Sequence, residues 1–149
     1  MDVFTKERRS EIMRRITGKD TQPERIVRRA LHRMGYRFRL HRKDVPGSPD
    51  IVLSKWRTVV FVHGCFWHGH DCKKGSGRRR PKSNTDYWNA KIDRNVERDK
   101  RHGRELRRLG WKRIVIWACK TKDEQALERK LRKALPPRVS VFASPCWSA

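Results

Sequence analysis

Long apolar runs are missing from this chain. No stretch of its 149 residues approaches the about 20 consecutive apolar positions that span a bilayer. Residues 1–15 lack the apolar core of a secretory signal. A cytoplasmic location and no membrane partner are therefore expected. Cysteine is scarce, with four residues. In a reducing compartment these read as metal ligands or buried thiols rather than a disulfide framework. Internal repeats are absent, and nothing marks a second folding unit, so one core is expected for a chain of this length. Acidic residues are also few: 16 Asp and Glu face 39 Lys and Arg, a formal charge of +23. Such a chain repels itself unless a polyanion offsets it. Nucleic acid is the first candidate, because neutralised phosphates release condensed counterions. A solubility surface or a ribosome-like role is the plainer reading of the same charge.

Against that background the apolar residues are well ordered. Residues 5–17 form a short basic helix or arm, with Ile12, Met13 and Ile16 on one side. Thr21 followed by Glu24 is a capping box, and Pro23 is tolerated in a first helical turn. The helix it opens carries Ile26, Val27, Ala30, Leu31 and Met34 on one face and stops at Gly35. Residues 36–40 alternate with period two and read as a strand. After the turn 46–49 come a short strand at 50–53, a tight turn at 54–56 and an apolar β-branched strand at 58–62. The three strands suggest a meander. Residues 63–72 look irregular, and 73–82 form a basic loop. A long helix is expected over about 86–109, with Trp88, Ile92, Val96, Leu106 and Leu109 mostly inward. A buried strand at 114–117 and an amphipathic helix at 122–134 follow. The expected division is an arm at 1–20, a domain at 21–135 and a tail at 136–149 that holds Cys146 as a free thiol.

Three groups of residues carry chemistry. Three histidines and two cysteines lie within residues 63–72. Thiolate and imidazole are the donors zinc prefers, in tetrahedral geometry. Cys65, His70 and Cys72 can converge from one loop, and Cys119, just past the strand 114–117, is the best fourth ligand. Such a closed site is structural; the plainer reading is buried thiols and solvent-facing histidines. Asp50 begins a strand, where a carboxylate can hold Mg²⁺, although Asp after Pro in a turn is commonly a local cap. The neighbouring strand ends just before His63, which brings Asp50 towards His63 and His68. A metal-bound carboxylate beside an imidazole can activate water against a phosphodiester. Phe66 and Trp67 are adjacent aromatics in a polar loop. They can pack around the metal, or wedge between bases. Trp88 can join that surface or the core.

The runs Pro46 to Asp50 and Val60 to Cys72, with Trp88 to Lys91, Asn95 to Asp99, Leu109 to Trp111 and Trp117 to Cys119, resemble the very short patch repair endonucleases across about residues 4–120. The resemblance implies an α/β, restriction-endonuclease-like core: a mixed sheet flanked by helices, with a structural zinc loop. It implies a nick 5′ of the thymine in a T·G mismatch left by 5-methylcytosine deamination, after which a polymerase and a ligase complete repair. Asp50 then holds Mg²⁺ together with the Val62 backbone carbonyl. His68 is the general base, His63 assists, and Glu24 supports the site. Cys65, His70, Cys72 and Cys119 hold Zn²⁺. Met13, Phe66 and Trp67 intercalate, and Lys91 and Asn95 meet the mismatched bases, with Trp88 beside them. The sequence departs from the family pattern at Val62, where threonine is frequent, and at Gly69, where a further histidine occurs. A monomer in the cytoplasm, nucleoid-associated when bound to DNA, is expected. Two other readings are a zinc-bearing DNA-binding module without catalysis and a sequence-specific nuclease acting on undamaged DNA.

Overall fold

The computed structural model describes residues 5–15, 18–72 and 82–137, without the side chains of Arg9 and Met13. The Met13 wedge, Ile16, most of the basic loop 73–82, and Cys146 lie outside the described residues. In chain order the elements are α1 (Lys6–Arg15), α2 (Gln22–Arg33), β1 (Arg39–Leu40), β2 (Ile51–Leu53), β3 (Thr58–His63), α3 (Thr85–Arg108), β4 (Lys112–Trp117) and α4 (Glu124–Ala134). Among the described residues no helix is long and apolar enough to cross a membrane.

The four strands form one mixed sheet in the order β1-β2-β3-β4. The first three are antiparallel neighbours, as a meander requires, and β4 runs parallel to β3. Parallel neighbours need a long crossover, and α3 supplies it. Side chains alternate across the sheet. Ile51, Leu53, Val60, Ile114 and Ile116 face one way and bury against Val27 and Leu31 of α2 and Leu127 and Leu131 of α4. Val52, Val59 and Phe61 face the other way, against Leu106 of α3 and Val45. The molecule is therefore three layers with the sheet in the middle.

Local chemistry explains the element ends. Thr21 caps α2 by accepting from the Glu24 N–H, and Asp123 caps α4 by accepting from the Ala126 N–H. Two expectations need correction. The first strand is only Arg39–Leu40. Tyr36 leaves the ladder because its N–H donates to the Leu31 carbonyl, its hydroxyl donates to the Pro136 carbonyl at 2.7 Å, and its ring meets Trp56 edge-on. The alternation of Tyr36 and Phe38 therefore records a shared core, not a strand. The second correction is Leu109, which is 45% exposed. α3 ends one residue earlier, Gly110 turns the chain at φ 79°, and Trp111 takes the inward place against the second core cluster.

Candidate active site and metal centre

β2 and β3 are antiparallel, so the start of one and the end of the other share a sheet edge. One step past the Ile51–Val60 pair, Asp50 accepts from the Val62 N–H through Oδ2 at 2.7 Å. The carbonyl of Asp50 accepts from the His41 N–H. Burial pushes the Asp50 carboxyl above its usual range, the Val62 N–H opposes that shift, and the nearby Glu24 charge adds to it. Two carboxylates and a half-dry pocket thus sit at the sheet edge.

β3 ends at His63, and the chain turns at once. The His68 N–H donates to the Gly64 carbonyl, and the His70 N–H to that of Cys65. This turn folds His68 back onto His63, with ring centroids 3.8 Å apart and planes 3° from parallel. His68 Nδ1 lies 2.5 Å from Asp99 Oδ2 on α3. Burial pushes the Asp99 carboxyl up, but the His68 bond and charge outweigh it, and the net shift is downward. An ionised Asp99 accepts, so Nδ1–H of His68 is the donor, which leaves Nε2 as the ring's second nitrogen facing away from that bond. Glu24, Asp50, Val62, His63, His68 and Asp99 line one cavity of about 580 Å³. Arg98 and His102 of α3 line it too, and the Arg98 guanidinium adds a positive charge to its wall.

Burial first, and then the charge of His68, depress the His63 imidazole to about 4. The folded ring is neutral near pH 7, while the unfolded ring protonates near its ordinary value. The His63 contribution to stability is thus fully present above about pH 6.5 and is lost as pH falls towards 4. Between about pH 7 and about pH 4.5, this one group should cost on the order of 2 kcal/mol. His63→Gln should flatten that part of the profile in thermal melts; an unchanged slope would remove the assignment.

The second centre is built by the parallel register. His63 pairs with Trp117, so Cys65 and Cys119 both fall two residues beyond that pair. His70 stacks on Trp117 at 4.2 Å, which orients its ring. One donor atom from each of Cys65, His70, Cys72 and Cys119 falls within 4.8 Å of the others. Burial and the crowding of the Cys65 and Cys72 sulfurs push the Cys119 thiol up to about 11. Three sulfurs this close resist ionising together unless a cation sits among them, which fits the donor set to a metal. Gly69 lets the loop approach α3. Its φ is 65°, and a Cβ there would stand 3.2 Å from Ile92 Cγ2.

The aromatic residues form a third group at the start of α3. Phe66, Trp67 and Trp88 contact one another with centroids 5.0 to 5.9 Å apart. All three are half-buried, so Trp88 belongs to this cluster more than to the core around Ile92. Lys91 Nζ lies over both Trp67 and Trp88, and Asn95 Nδ2 donates to the Trp67 carbonyl at 3.0 Å.

Sequence reasoning missed Asp99 as a site residue. It lies 31 residues from its histidine, and its one signal was the shared α3 face with Asn95, four residues earlier. Tyr87, 54% exposed and edge-on to Trp88, was also missed.

The chain is similar to known proteins. The description "DNA mismatch endonuclease Vsr" matches residues 1–74. The DNA mismatch endonuclease Vsr of Escherichia coli (strain K12) is 39% identical over 126 residues, covering 85% of this chain and 79% of that protein. The chain belongs to the Vsr family. The mixed four-stranded sheet flanked by helices agrees with the α/β core that the resemblance implied. The Type II nicking enzyme V.XorIIP of Xanthomonas oryzae pv. oryzae (strain KACC10331 / KXO85) is 51% identical over 136 residues, 91% of this chain and 98% of that one. The Type II nicking enzyme V.NmeAIP of Neisseria meningitidis serogroup A / serotype 4A (strain DSM 15465 / Z2491) is 48% identical over 132 residues, 89% and 92% of the two chains. Membership in this family supports a DNA endonuclease.

Proposed function

We propose that the chain nicks one strand of duplex DNA 5′ of the thymine in a T·G mismatch, so that a repair polymerase and ligase can replace a short patch. The observation that carries this reading is a single cavity onto which Asp50 and the His68–Asp99 pair both open. His68 is the general base. Asp99 fixes its tautomer and ring, and leaves Nε2 free to take a proton from an attacking water. His63, neutral and stacked on His68, limits that ring's motion and lies by the scissile phosphate. Asp50, with the Val62 carbonyl, would hold Mg²⁺. Its oxygen donors and half-buried setting suit a hard cation whose chemistry is to neutralise charge on the phosphate. Glu24 acts as a fixed anion, because its carboxylate already accepts from Thr21 Oγ1, the Asp20 N–H and Arg28.

Cys65, His70, Cys72 and Cys119 suit Zn²⁺ and hold the loop bearing His68 to the end of β4. Phe66, Trp67 and Trp88, with Lys91 and Asn95, offer a stacking face with polar groups beside it. Met13, from the 1–20 arm, would join the wedge, and the 21–135 domain would carry the nuclease site. Unstacking costs less at a mismatch than at a matched pair, so a wedge favours damaged sites. Asymmetric damage needs no two-fold partner, which makes a monomer sufficient. The working place is the cytoplasm, on nucleoid DNA.

The test is a strand-labelled T·G duplex beside its T·A counterpart, with and without Mg²⁺. The expected outcome is one cut, 5′ of the thymine, at least about 100-fold faster on T·G. The names of the two nicking-enzyme relatives favour a second reading, in which a fixed sequence is nicked whether or not it is mismatched. Equal rates on T·G and T·A would select it. Binding without cleavage of either duplex would select a non-catalytic module. Within the main reading, Asp99→Asn should slow nicking about 10- to 100-fold by misorienting His68. His68→Ala should cost about 10²- to 10⁴-fold. An Asp99→Asn variant as fast as the parent in single-turnover assays would remove the relay.

A further inference from the structure

Arg28 stands one turn after Glu24 on α2, with its side chain only 15% exposed. Its Nη1 donates to Asp20 Oδ1 at 2.6 Å, and its Nη2 to Glu24 Oε2 at 3.0 Å. The same Nη2 lies 3.1 Å from His41 Nε2. One guanidinium therefore ties three segments together: the bend before α2, the first turn of α2, and the residue after β1 whose N–H reaches the Asp50 carbonyl. Asp20, Glu24 and His41 have donor atoms close enough to hold a cation. The Arg28 fork already serves as that cation, which argues against a metal there.

The load on this fork is large. Glu24 is 3% exposed, and its charge acts on Asp50. An anion so buried must be paired or it is expelled. Thr21 and the Asp20 N–H are neutral donors, so Arg28 provides the one full positive charge hydrogen-bonded to Glu24. Its Nε is buried with no partner in the structure. An arginine accepting that cost is held for what its two terminal nitrogens do.

We propose that Arg28 is a positioning residue for the nicking reaction, clamping the Glu24 carboxylate and the segment before α2 against the cavity that contains Asp50. This rests on the nuclease reading above. Removing the guanidinium leaves Glu24 held by Thr21 Oγ1 and the Asp20 N–H alone, with its buried charge unpaired, so catalysis falls while duplex recognition by the aromatic face is retained.

The experiment compares the full chain with R28M, R28K, E24Q and the double variant R28M/E24Q, and includes D50A. It measures single-turnover rate and KM on the T·G duplex together with Tm. R28M should lower the rate about 10- to 100-fold and move KM less than about 3-fold. R28K should recover part of the rate, since Nζ restores the charge but not the fork. In the E24Q background, R28M should cost less than about 3-fold, because the two residues act as one unit. The proposal is overturned if R28M costs the same factor with and without Glu24, or if KM carries the loss. Should R28M fail to fold at the assay temperature, R28K decides, and a rate equal to the parent's overturns the clamp. A parent that cuts no faster than D50A sinks the nuclease reading itself, and Arg28 with it. A fast parent with a dead D50A and an unaffected R28M sinks the clamp alone.

Discussion

Asp50→Ala is expected to abolish nicking, slowing it on the order of 10³-fold or more, while duplex binding stays within a few-fold of the parent. The size of the effect follows from where Asp50 sits. One of its oxygens is committed to the Val62 N–H, which fixes the carboxylate's orientation at the sheet edge. Burial makes its charge costly, and that cost is recovered when a cation and a phosphate approach together. Alanine removes the side-chain donor proposed for the cation and leaves the aromatic face and the basic surface intact. Binding, measured by fluorescence anisotropy with the T·G duplex, should therefore persist where cleavage does not. A variant that loses both in equal measure would mean that Asp50 holds up the fold instead. A variant that still nicks at the parent's rate would remove the hydrolytic site proposed here.

The second large effect is on stability. Cys119→Ala should lower Tm by about 10 °C or more, and a strong chelator should do the same to the parent. Zinc bound by a closed Cys₃His set contributes on the order of 10 kcal/mol, comparable with the whole stability of a small domain. Beyond His63, the loop to residue 72 is otherwise held by side-chain ties such as His68–Asp99 and Asn95–Trp67. It makes turns rather than a ladder, and among its residues Cys65 and His63 alone are deeply buried. Loss of Cys119 frees the loop that carries His68, so nicking should fall along with Tm. Metal analysis of the purified chain should give one zinc per protein, retained in Asp50→Ala and lost in Cys119→Ala. A parent without bound zinc, with Tm indifferent to chelator, would reduce the four residues to buried thiols beside an imidazole.

Much was legible before any tertiary structure. The 3.6-residue periodicity of α2, α3 and α4 and the β-branched run of β3 mark their elements, because one-sided burial writes its period into the sequence. The capping box at Thr21 and Glu24 is visible for the same local reason. The set Cys65, His70, Cys72 and Cys119 could be assembled from donor chemistry, since three of the four share one loop and the fourth follows a strand that any sheet would bury. Local signals fail where burial has another cause. Tyr36 and Leu109 were misread because a tyrosine anchored by its hydroxyl and a leucine one residue past a helix end keep the pattern without the structure.

The chain by itself determined the charge, the helices, the central strand and the residue types able to bind metal, all of which depend on neighbours a few positions apart. The tertiary structure alone decided that β4 runs parallel beside β3, which sets Cys119 opposite Cys65. It alone placed Asp99 against His68 and Arg28 between Asp20, Glu24 and His41. Except for Glu24 and Arg28, one turn apart on α2, these pairs join separate elements, and they form where those elements meet around a pocket. No periodicity records such a pocket, because it exists only once the layers have closed on each other.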